Sequence, residues 1–271
     1  MASFINGVTN YEEWRDHSKD NKKFTERMSI ISELLPRKDN LTLGEQIMLV
    51  MIVIVSSLTG KLEDFYAIST SVLMNKICQA RAKVEGCICM ACYAARAAGS
   101  RSSLCQALET NFLILNNFLI SEEAWRLLPI PSINLAARIE AHGDVATEIC
   151  AINYIRIINS HKHLTFAVFT KNIELYRNVL ETCGKPDNMI FILSSPMENC
   201  PVEVPEWAKK YVDYVFTVYT KEYAKEHNIE INCGTWEGHD LDHRCKTCMR
   251  CYDKEACNTK KYGFYINELK K

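Results

Sequence analysis

Short apolar runs and amphipathic stretches alternate along the second half of the chain, and this alternation predicts strands and helices in turn. Four apolar runs resemble buried strands: NLAARIEA (134–141), LTFAVFT (164–170), NMIFILSS (188–195) and YVDYVFTVY (211–219). Helix-like stretches, VATEICAINYIRIINS (145–160) and IELYRNVLE (173–181), separate the first three. The pattern indicates βαβ units. It therefore predicts an α/β fold whose parallel sheet forms a partial or irregular (β/α) barrel, or an open doubly wound sheet.

The first sixty residues predict helices. The stretch YEEWRDHSKDNKKFTERMSIISELL (11–35) ends before Pro36, which cannot continue a helix. The next stretch, TLGEQIMLVMIVIVSSLTG (42–60), opens with Thr42 and Glu45 at the spacing of a capping box. Its β-branched run would also suit a buried strand, but we predict a helix.

A strand-like run, FYAIST (65–70), lies between these helices and the later strands, and it could join the same sheet. The sequence thus predicts two regions: an N-terminal helical extension over 1–60 and an α/β domain over 61–271. The domain ends in a C-terminal cysteine-rich, metal-binding segment at 233–257.

Polar residues follow the predicted strands. Parallel α/β folds bind their ligands beyond the carboxyl ends of the strands, where these residues would meet. The residues are Glu140, His142, Asp144, Thr170, Lys171, Ser194 and Ser195. We predict catalytic or cluster-proximal roles for Glu140, His142 and Asp144. Lys171 would pair with a substrate anion or with the negative charge of a cluster.

The other strand-end residues, Thr170, Ser194 and Ser195, are predicted to contact a cofactor. Plainer interpretations exist for the catalytic candidates. Asp144 would cap the following helix, and His142 would be a loop histidine with satisfied hydrogen bonds. Lys171 would then be a solvated lysine at the start of a helix.

Thirteen of the 271 residues are cysteines. The opening MASFINGVTNYEEWRDHSKD lacks the charged and apolar pattern of a secretory signal, so we expect a cytoplasmic protein with reduced thiols. The most apolar run, IMLVMIVIV (47–55), is about half as long as a bilayer span, and no membrane contact is expected. Ligation, catalysis or burial must then account for the thiols.

The segment HRCKTCMRCYDKEAC (243–257) is the densest in thiols. It holds three cysteines separated by two-residue gaps: Cys245, Cys248 and Cys251. Such a triplet completed by a distant cysteine, here Cys233 or Cys257, is typical of a [4Fe–4S] cluster. Zinc is the alternative, and a Cys₃His site could use His239 or His243.

A second group of thiols lies in KICQARAKVEGCICMACYA (76–94). Its members are Cys78, Cys87, Cys89 and Cys92. Only Cys89 and Cys92 have the spacing of a C-x₂-C pair. The group could hold a second cluster, complete the first one, or be a redox-inert cluster of buried thiols.

Eight blocks of sequence span about 60–271: ISTSVLMNKICQAR, CICMACYAARAAGSRSSLCQALETN, RIEAHGD, FAVFTKN, ILSSP, VFTVYTKEYAKEHNIEINCG, CKTCMRCY and YINE. Together they resemble a phage and prophage family of proteins called gene product eighty-eight. The resemblance implies seven metal ligands: Cys78, Cys89, Cys92, Cys233, Cys245, Cys248 and Cys251. It leaves Cys87 and Cys257 as additional thiols and implies no particular reaction.

A looser likeness is to radical S-adenosylmethionine enzymes. These place a C-x₃-C-x₂-C loop after the first strand of a partial barrel, often with an aromatic residue near the last cysteine. Here Cys89, Cys92 and Tyr93 follow an early strand, but ten residues separate Cys78 from Cys89 and one separates Cys87 from Cys89. The match to that motif is therefore partial.

The predicted function is that of an iron–sulfur protein with one or two [4Fe–4S] clusters. Its role would be redox or radical-type catalysis or electron transfer, and its partner a small molecule or an electron donor. The alternative is a module, stabilised by zinc or a structural cluster, that binds nucleic acid or a protein. Arg244, Lys246 and Arg250 lie between the cysteines, as in zinc knuckles, although the net charge of −1 gives no general attraction to nucleic acid.

Three motif classes have no match in the sequence: the phosphate loop, the G-x-G-x-x-G dinucleotide loop and the G-x-S-x-G elbow. Readings as an ATPase, a dinucleotide-dependent enzyme or a serine hydrolase therefore lack sequence support.

Overall fold

The computed structural model describes residues 19–131, 136–233 and 245–270. Within them, seven strands form one sheet: β1 (Ser56–Ser57), β2 (Tyr66–Ile68), β3 (Ala136–Ile139), β4 (Thr165–Thr170), β5 (Met189–Ser194), β6 (Tyr214–Tyr219) and β7 (Tyr265–Leu269). The strands lie in the sheet in the same order as in the chain. Only β1 is antiparallel to its neighbour, and the six other strands are parallel. The predicted mixed α/β fold with a parallel sheet is confirmed.

Eleven helices accompany these strands in the described residues: α1 (Lys22–Leu34), α2 (Leu43–Met51), α3 (Lys76–Arg81), α4 (Tyr93–Ser100), α5 (Ser102–Asn117), α6 (Glu122–Trp125), α7 (Glu148–Ser160), α8 (Arg177–Cys183), α9 (Lys221–Glu226), α10 (Cys245–Cys248) and α11 (Lys254–Asn258). Among them, none combines the length and the apolar composition that a bilayer crossing requires.

The two faces of the sheet differ in chemistry. Strand side chains alternate between faces, and Ile139, Val168 and Phe191 lie in the largest buried cluster together with Tyr154 of α7. Helices α1 and α2 contribute to the same cluster, so the predicted N-terminal extension shares its core with the sheet. We call this side of the sheet the helical face.

The opposite face, which we call the cysteine face, carries smaller and more polar side chains. Ala67, Ala136 and Ala167 form a buried cluster there with Tyr252 from the C-terminal segment. Cys245 and Cys251 pack against this cluster. Because three adjacent strands each present an alanine here, the cysteine segment can approach the sheet closely beside Arg138 and Phe169.

The predicted helix over 42–60 is only partly correct. Its capping box is present, since Thr42 N–H donates to Glu45 Oε2 at 2.8 Å and Glu45 N–H donates to Thr42 Oγ1 at 3.4 Å. The helix ends at Met51, however, and Ser56–Ser57 pair with β2. The side chain of Asn111 bonds both the N–H and the C=O of Ile54, at 2.7 and 2.8 Å. This pairing stabilises an extended backbone where β-branched residues disfavour a helix.

The predicted helix cap at Asp144 is wrong. The residue that caps α7 is Thr147, three positions after Asp144, and its side chain accepts a hydrogen bond from Cys150 N–H at 3.1 Å. The carboxylate of Asp144 bonds instead to the end of β4. At the N-terminus, Asn21 caps α1, and residues 11–18 of the predicted first helix lie outside the described residues.

Candidate functional site

A cavity of about 980 Å³ opens beyond the carboxyl ends of the parallel strands. It is lined by two sets of cysteines from distant parts of the chain. Cys78, Cys89 and Cys92 form the first thiol group. The second thiol group consists of Cys233, Cys245, Cys248 and Cys251, of which Cys248 is exposed and the others line the cavity. Six of the seven cysteines implied by the resemblance therefore line one cavity, and the seventh, Cys248, is close enough to Cys251 to raise the pKa of that thiol.

The first thiol group is anchored through Asn75 at the start of α3. Its Oδ1 accepts hydrogen bonds from Ile77 N–H at 3.0 Å and Cys78 N–H at 3.3 Å. Its Nδ2 donates to the carbonyl of Asp144 at 2.9 Å. On the other side of the group, Tyr93 follows Cys92 directly, and its hydroxyl donates to the carbonyl of Ala141. The loop that holds the thiols is therefore tied to the end of β3 at two points.

Burial dominates the electrostatics of these thiols. It raises the pKa of Cys78 well above its usual value and the pKa of Cys89 to about 12. Lys171 opposes both shifts. Burial would lower the pKa of Lys171, but Asp144 and the three thiols outweigh that effect and raise it. A partly buried cation, Lys171, therefore faces the first thiol group.

The second thiol group is held by a buried arginine. The Arg250 guanidinium donates to the carbonyls of Asn232 at 3.3 Å, Tyr265 at 3.1 Å, and Tyr262. Cys233 N–H donates to the carbonyl of Asn267 in β7 at 3.0 Å. These bonds fix the segment to the edge of the sheet through backbone carbonyls, which do not change charge.

A second cation, Arg138, lies beside this group. Burial raises the pKa of Cys251, the neighbouring thiols raise it further, and Arg138 acts in the opposite direction. The Arg138 guanidinium carbon lies 4.0 Å from the centroid of the Phe169 ring, a cation–π contact on the cysteine face. Each thiol group therefore has its own nearby cation.

The two thiol sets match the donor chemistry of iron–sulfur ligation. Within the described residues, no three His, Cys, Asp or Glu side chains converge as the ligands of one metal ion do. Each thiolate of a cubic cluster binds a different iron, so its ligands surround a centre larger than one ion. Cations beside each set would offset the negative charge of a bound cluster. The histidines of the zinc alternative, His239 and His243, lie outside the described residues.

Glu140 lies at the end of β3 and lines the same cavity. Its carboxylate accepts hydrogen bonds from Thr70 N–H at 2.9 Å, from Thr70 Oγ1 at 2.5 Å and from the Tyr154 hydroxyl at 2.6 Å. Burial raises its pKa to about 7, although these hydrogen bonds act to lower it. A Cβ at Gly143 would lie 2.2 Å from Glu140 Oε2, so only glycine fits beside the carboxylate.

Asp144 joins β3 to β4 at the first thiol group. It accepts hydrogen bonds from the Thr170 hydroxyl at 2.7 Å and Lys171 N–H at 2.9 Å. Arg81 Nη1 of α3 lies 3.6 Å from Asp144 Oδ2, the oxygen that accepts from Lys171 N–H, and Arg81 Nη2 donates to the carbonyl of Lys171 at 2.9 Å. Asp144 and Thr170 thus orient the backbone around Lys171.

His142 lines the cavity together with Arg101 and Arg138. Burial lowers its pKa, and the positive charges of Arg138 and Arg101 lower it further. Its ring centroid is 6.0 Å from that of Tyr93. The imidazole is therefore neutral at pH 7 and available as a hydrogen-bonding group.

The two serines predicted to contact a cofactor separate in the structure. Ser194 lines the cavity. The Ser195 hydroxyl donates to the carbonyls of Met197 at 3.0 Å and Cys200 at 2.5 Å, which places it in the following loop. Sequence reasoning did not select Arg138 or Tyr252. An arginine inside the apolar strand AARI was the available signal, because it must face a polar interior or solvent.

The sequence profile of the Gene product 88 family matches residues 44–265. No curated protein and no solved structure matches the chain. The match extends over most of the chain, including both thiol groups and the strands between them, and confirms the resemblance found in the sequence blocks. The chain is a member of the Gene product 88 family.

Proposed function

We propose that this protein is an iron–sulfur protein with two [4Fe–4S] clusters and a redox or radical-type role on a small molecule. The observation that carries the proposal is that two separate thiol groups line one cavity, which extends from the carboxyl ends of the parallel strands over the cysteine face. The carboxyl edge of the sheet is where parallel α/β proteins hold their ligands. The sequential strand order is also the order of a (β/α) barrel left open at one seam.

The two groups differ in the number of thiols that they offer. Four thiolates in the second group would complete the ligand set of one cube. The three thiols of the first group would leave one iron without a protein thiolate, and such an iron can bind a small molecule directly. The first group would therefore hold the reactive cluster, and the second would exchange electrons with it.

S-adenosylmethionine is the first small molecule to test at the first group. The three thiols follow β2, the first parallel strand, and Tyr93 comes directly after Cys92. This placement extends the looser likeness noted in the sequence, although the spacing of Cys78, Cys87 and Cys89 differs from the usual motif. Binding would be measured by calorimetry on protein that contains iron.

The contacts do not favour the alternative of a zinc knuckle for nucleic acid. Lys246 pairs with Asp64 at 2.5 Å, and Arg250 is only 6% exposed, with its guanidinium bound to backbone carbonyls. Phosphate contacts need exposed cations. Arg244, the third basic residue of the segment, lies outside the described residues.

The decisive experiment is metal analysis of protein purified without oxygen. We expect about eight irons and eight sulfides per chain and a broad absorbance near about 400 nm. Cys89→Ser and Cys251→Ser should each lower both contents to about four, because each removes one cluster. Cys183→Ser, at an exposed thiol in neither group, should leave them unchanged.

Stoichiometric zinc without iron would contradict the proposal. So would equal loss of all the iron in both ligand variants, because that result would mean that the two thiol groups share one cluster. Reconstitution with iron and sulfide before the assay guards against loss of a labile cluster during purification.

A further inference from the structure

We propose that the cavity binds the anionic end of its substrate, a carboxylate or a phosphate, between Arg101 and Arg138. The inference deepens the proposed function and rests on it only in taking the cavity as the place of reaction. The geometry that carries it is that Arg101, Arg138 and His142 line the same cavity as six of the seven thiols.

The cavity has more positive charge than its own carboxylates compensate. Arg81 is paired with Asp144 at 3.6 Å, and Lys270 is paired with Glu198 at 2.6 Å. Across the described residues, by contrast, no carboxylate lies within ion-pair distance of the three other arginines of the lining. These are Arg96, Arg101 and Arg138. Paired charges hold the wall together, and unpaired ones are available to a ligand.

The other carboxylates of the lining, Glu140 and Glu268, do not lie within ion-pair distance of these three arginines in the described part of the chain. Glu140 lines the cavity, but its two oxygens already accept hydrogen bonds from Thr70 and Tyr154. Lys171 is the cation that faces the first thiol group and Asp144. The charge on Arg101 instead contributes to lowering the pKa of His142. Arg101 is therefore the arginine of the wall that is best placed for a substrate rather than a cluster.

The backbone adds donors at the same place. Arg101 is the cap residue of the 16-residue helix α5, and it has no side-chain capping bond. Ser103 and Leu104, in the first turn of this helix, line the cavity. Free N–H groups and the positive end of a helix dipole attract an anion, and here they reinforce the two guanidiniums.

The shape of the wall fits a small organic acid or a phosphate ester with an apolar or aromatic part. The guanidinium of Arg138 lies over Phe169, and Phe216 meets Phe169 edge-on with a centroid distance of 5.9 Å. Phe169, Phe216 and Tyr252 all line the cavity. An anion held between the arginines would place the rest of the molecule along these rings.

The test is calorimetric titration of the full-length, cluster-containing protein with orthophosphate and with succinate at constant ionic strength. We expect saturable binding of at least one probe. Arg101→Gln should weaken it about tenfold, because one charge-assisted contact is lost. The control Arg177→Gln, at an exposed arginine that pairs with Glu181, should not change it. Preference for phosphate would indicate a phosphate ester, and preference for succinate a carboxylic acid.

The imidazole of His142 provides a second readout that a merely structural arginine would not change. A bound anion offsets the two neighbouring positive charges, so the NMR titration of His142 should move to higher pH when the probe is added. The shift should be smaller in Arg101→Gln.

Absence of saturable binding by either probe would overturn the inference, and so would binding that Arg101→Gln leaves unchanged. Iron and sulfide assays on the same samples separate this inference from the proposed function. Anion binding through Arg101 in a protein that holds no cluster would contradict only the iron–sulfur proposal. Failure of both anions to bind to protein that contains its full complement of iron and sulfide would contradict only the anion site.

Discussion

The two thiol groups face one cavity but are built in different ways. In the first, Cys78 is buried at 9% exposure, and its helix is tied to the sheet through Asn75 and the charged side chain of Asp144. In the second, Cys248 is exposed, and Arg250 fixes the segment through backbone carbonyls. The other thiols of both groups are partly exposed, so the groups differ in one buried thiol, Cys78, and one exposed thiol, Cys248. In the proposed function, the group with the buried thiol suits the centre that meets a substrate, and the group that reaches the surface suits exchange of electrons with a partner.

Because the two thiol groups are held by different interactions, different substitutions should disturb them. The first depends on a network of buried charges, so removal of one charge should disturb it and leave the second intact. The second depends on neutral acceptors and on the fit of its segment to three alanines on the cysteine face. Substitutions in the charged network therefore test whether the groups are independent.

The largest effect is expected for Asp144→Asn. The Thr170 hydroxyl and Lys171 N–H each donate to a different oxygen of Asp144, and an amide offers only one acceptor oxygen. Arg81 and Lys171 also lose their opposite charge. We expect a loss of about 3 kcal/mol in the free energy of unfolding, measured with denaturant. The iron content should fall by about half, because only the first cluster is lost.

The exposed residue Asp39 provides a control, since Asp39→Asn should leave both quantities unchanged. Addition of Cys251→Ser to Asp144→Asn should remove the remaining iron. Loss of all the iron in the single variant would show that the groups are not independent and would break the comparison.

A somewhat smaller effect is expected for Gly143→Ala. The new methyl group would lie 2.2 Å from Glu140 Oε2 and 2.6 Å from the carbonyl oxygen of Thr70. The backbone at Thr70 cannot move away as a flexible side chain does. We therefore expect the free energy of unfolding, measured by thermal unfolding, to fall by about 2 to 3 kcal/mol. The control is Gly44→Ala in α2, where no atom lies within 4 Å of the new methyl group. That variant should be up to about 1 kcal/mol more stable than the wild type, because alanine favours a helix. Equal stability of the two variants would be incompatible with the tight contact at Gly143.

Local sequence patterns were sufficient for most of the sheet. The runs that became β2, β4, β5 and β6 are rich in β-branched and aromatic residues, and the run of β3 is apolar through leucine, isoleucine and alanine. The prediction that the polar ends of these strands lie at one edge follows from parallel topology alone. The strand β7 was missed. Its sequence YINEL alternates with polar residues and leaves Tyr265 53% exposed, so its apolar signal is weak.

Contacts between distant residues account for what the sequence did not predict. Helix α2 ends early because Asn111, 57 positions away, bonds the backbone of Ile54. The carboxylate of Glu140 is held by Thr70, 70 positions away. No periodicity in one segment reports such a partner, and so the surroundings of Glu140 could not be predicted although its place on the strand end was.

The environment of Glu140 predicts a pH dependence. Its pKa is raised to about 7 by burial in the folded protein, so the unfolded chain loses this proton first as the pH rises. The contribution to stability is therefore fully present below about pH 4.5 and is lost as the pH rises through about 7. Between pH 5 and pH 7 we expect the free energy of unfolding of the wild type to fall by about 2 kcal/mol more than that of Glu140→Gln.

The measurement is denaturant unfolding at several pH values, with Glu123→Gln as the control at an exposed carboxylate. That control should keep the wild-type pH profile. If the free energy of unfolding of Glu140→Gln varied with pH as that of the wild type does, the folded protein would keep Glu140 ionised over the whole range. That result would contradict the raised pKa.

The smallest effect is expected for Cys257→Ser, and it sharpens the definition of the second thiol group. Cys257 packs with Ile190, Ile192 and Tyr214, and burial and the nearby carboxylate of Asp213 raise the pKa of its thiol. Serine is close to cysteine in size and replaces only the sulfur atom, so we expect an unchanged iron content and a loss of only about 1 kcal/mol in the free energy of unfolding.

Cys233 is the matched comparison, because the pKa of Cys251 responds to Cys233 more strongly than to any other thiol. Cys233→Ser should remove about four irons per chain. The reverse pattern, with iron lost in Cys257→Ser and retained in Cys233→Ser, would make Cys257 the fourth ligand. The second cluster would then lie deeper, against Tyr214 at the start of β6, and the contrast between a buried and a surface-reaching centre would no longer hold.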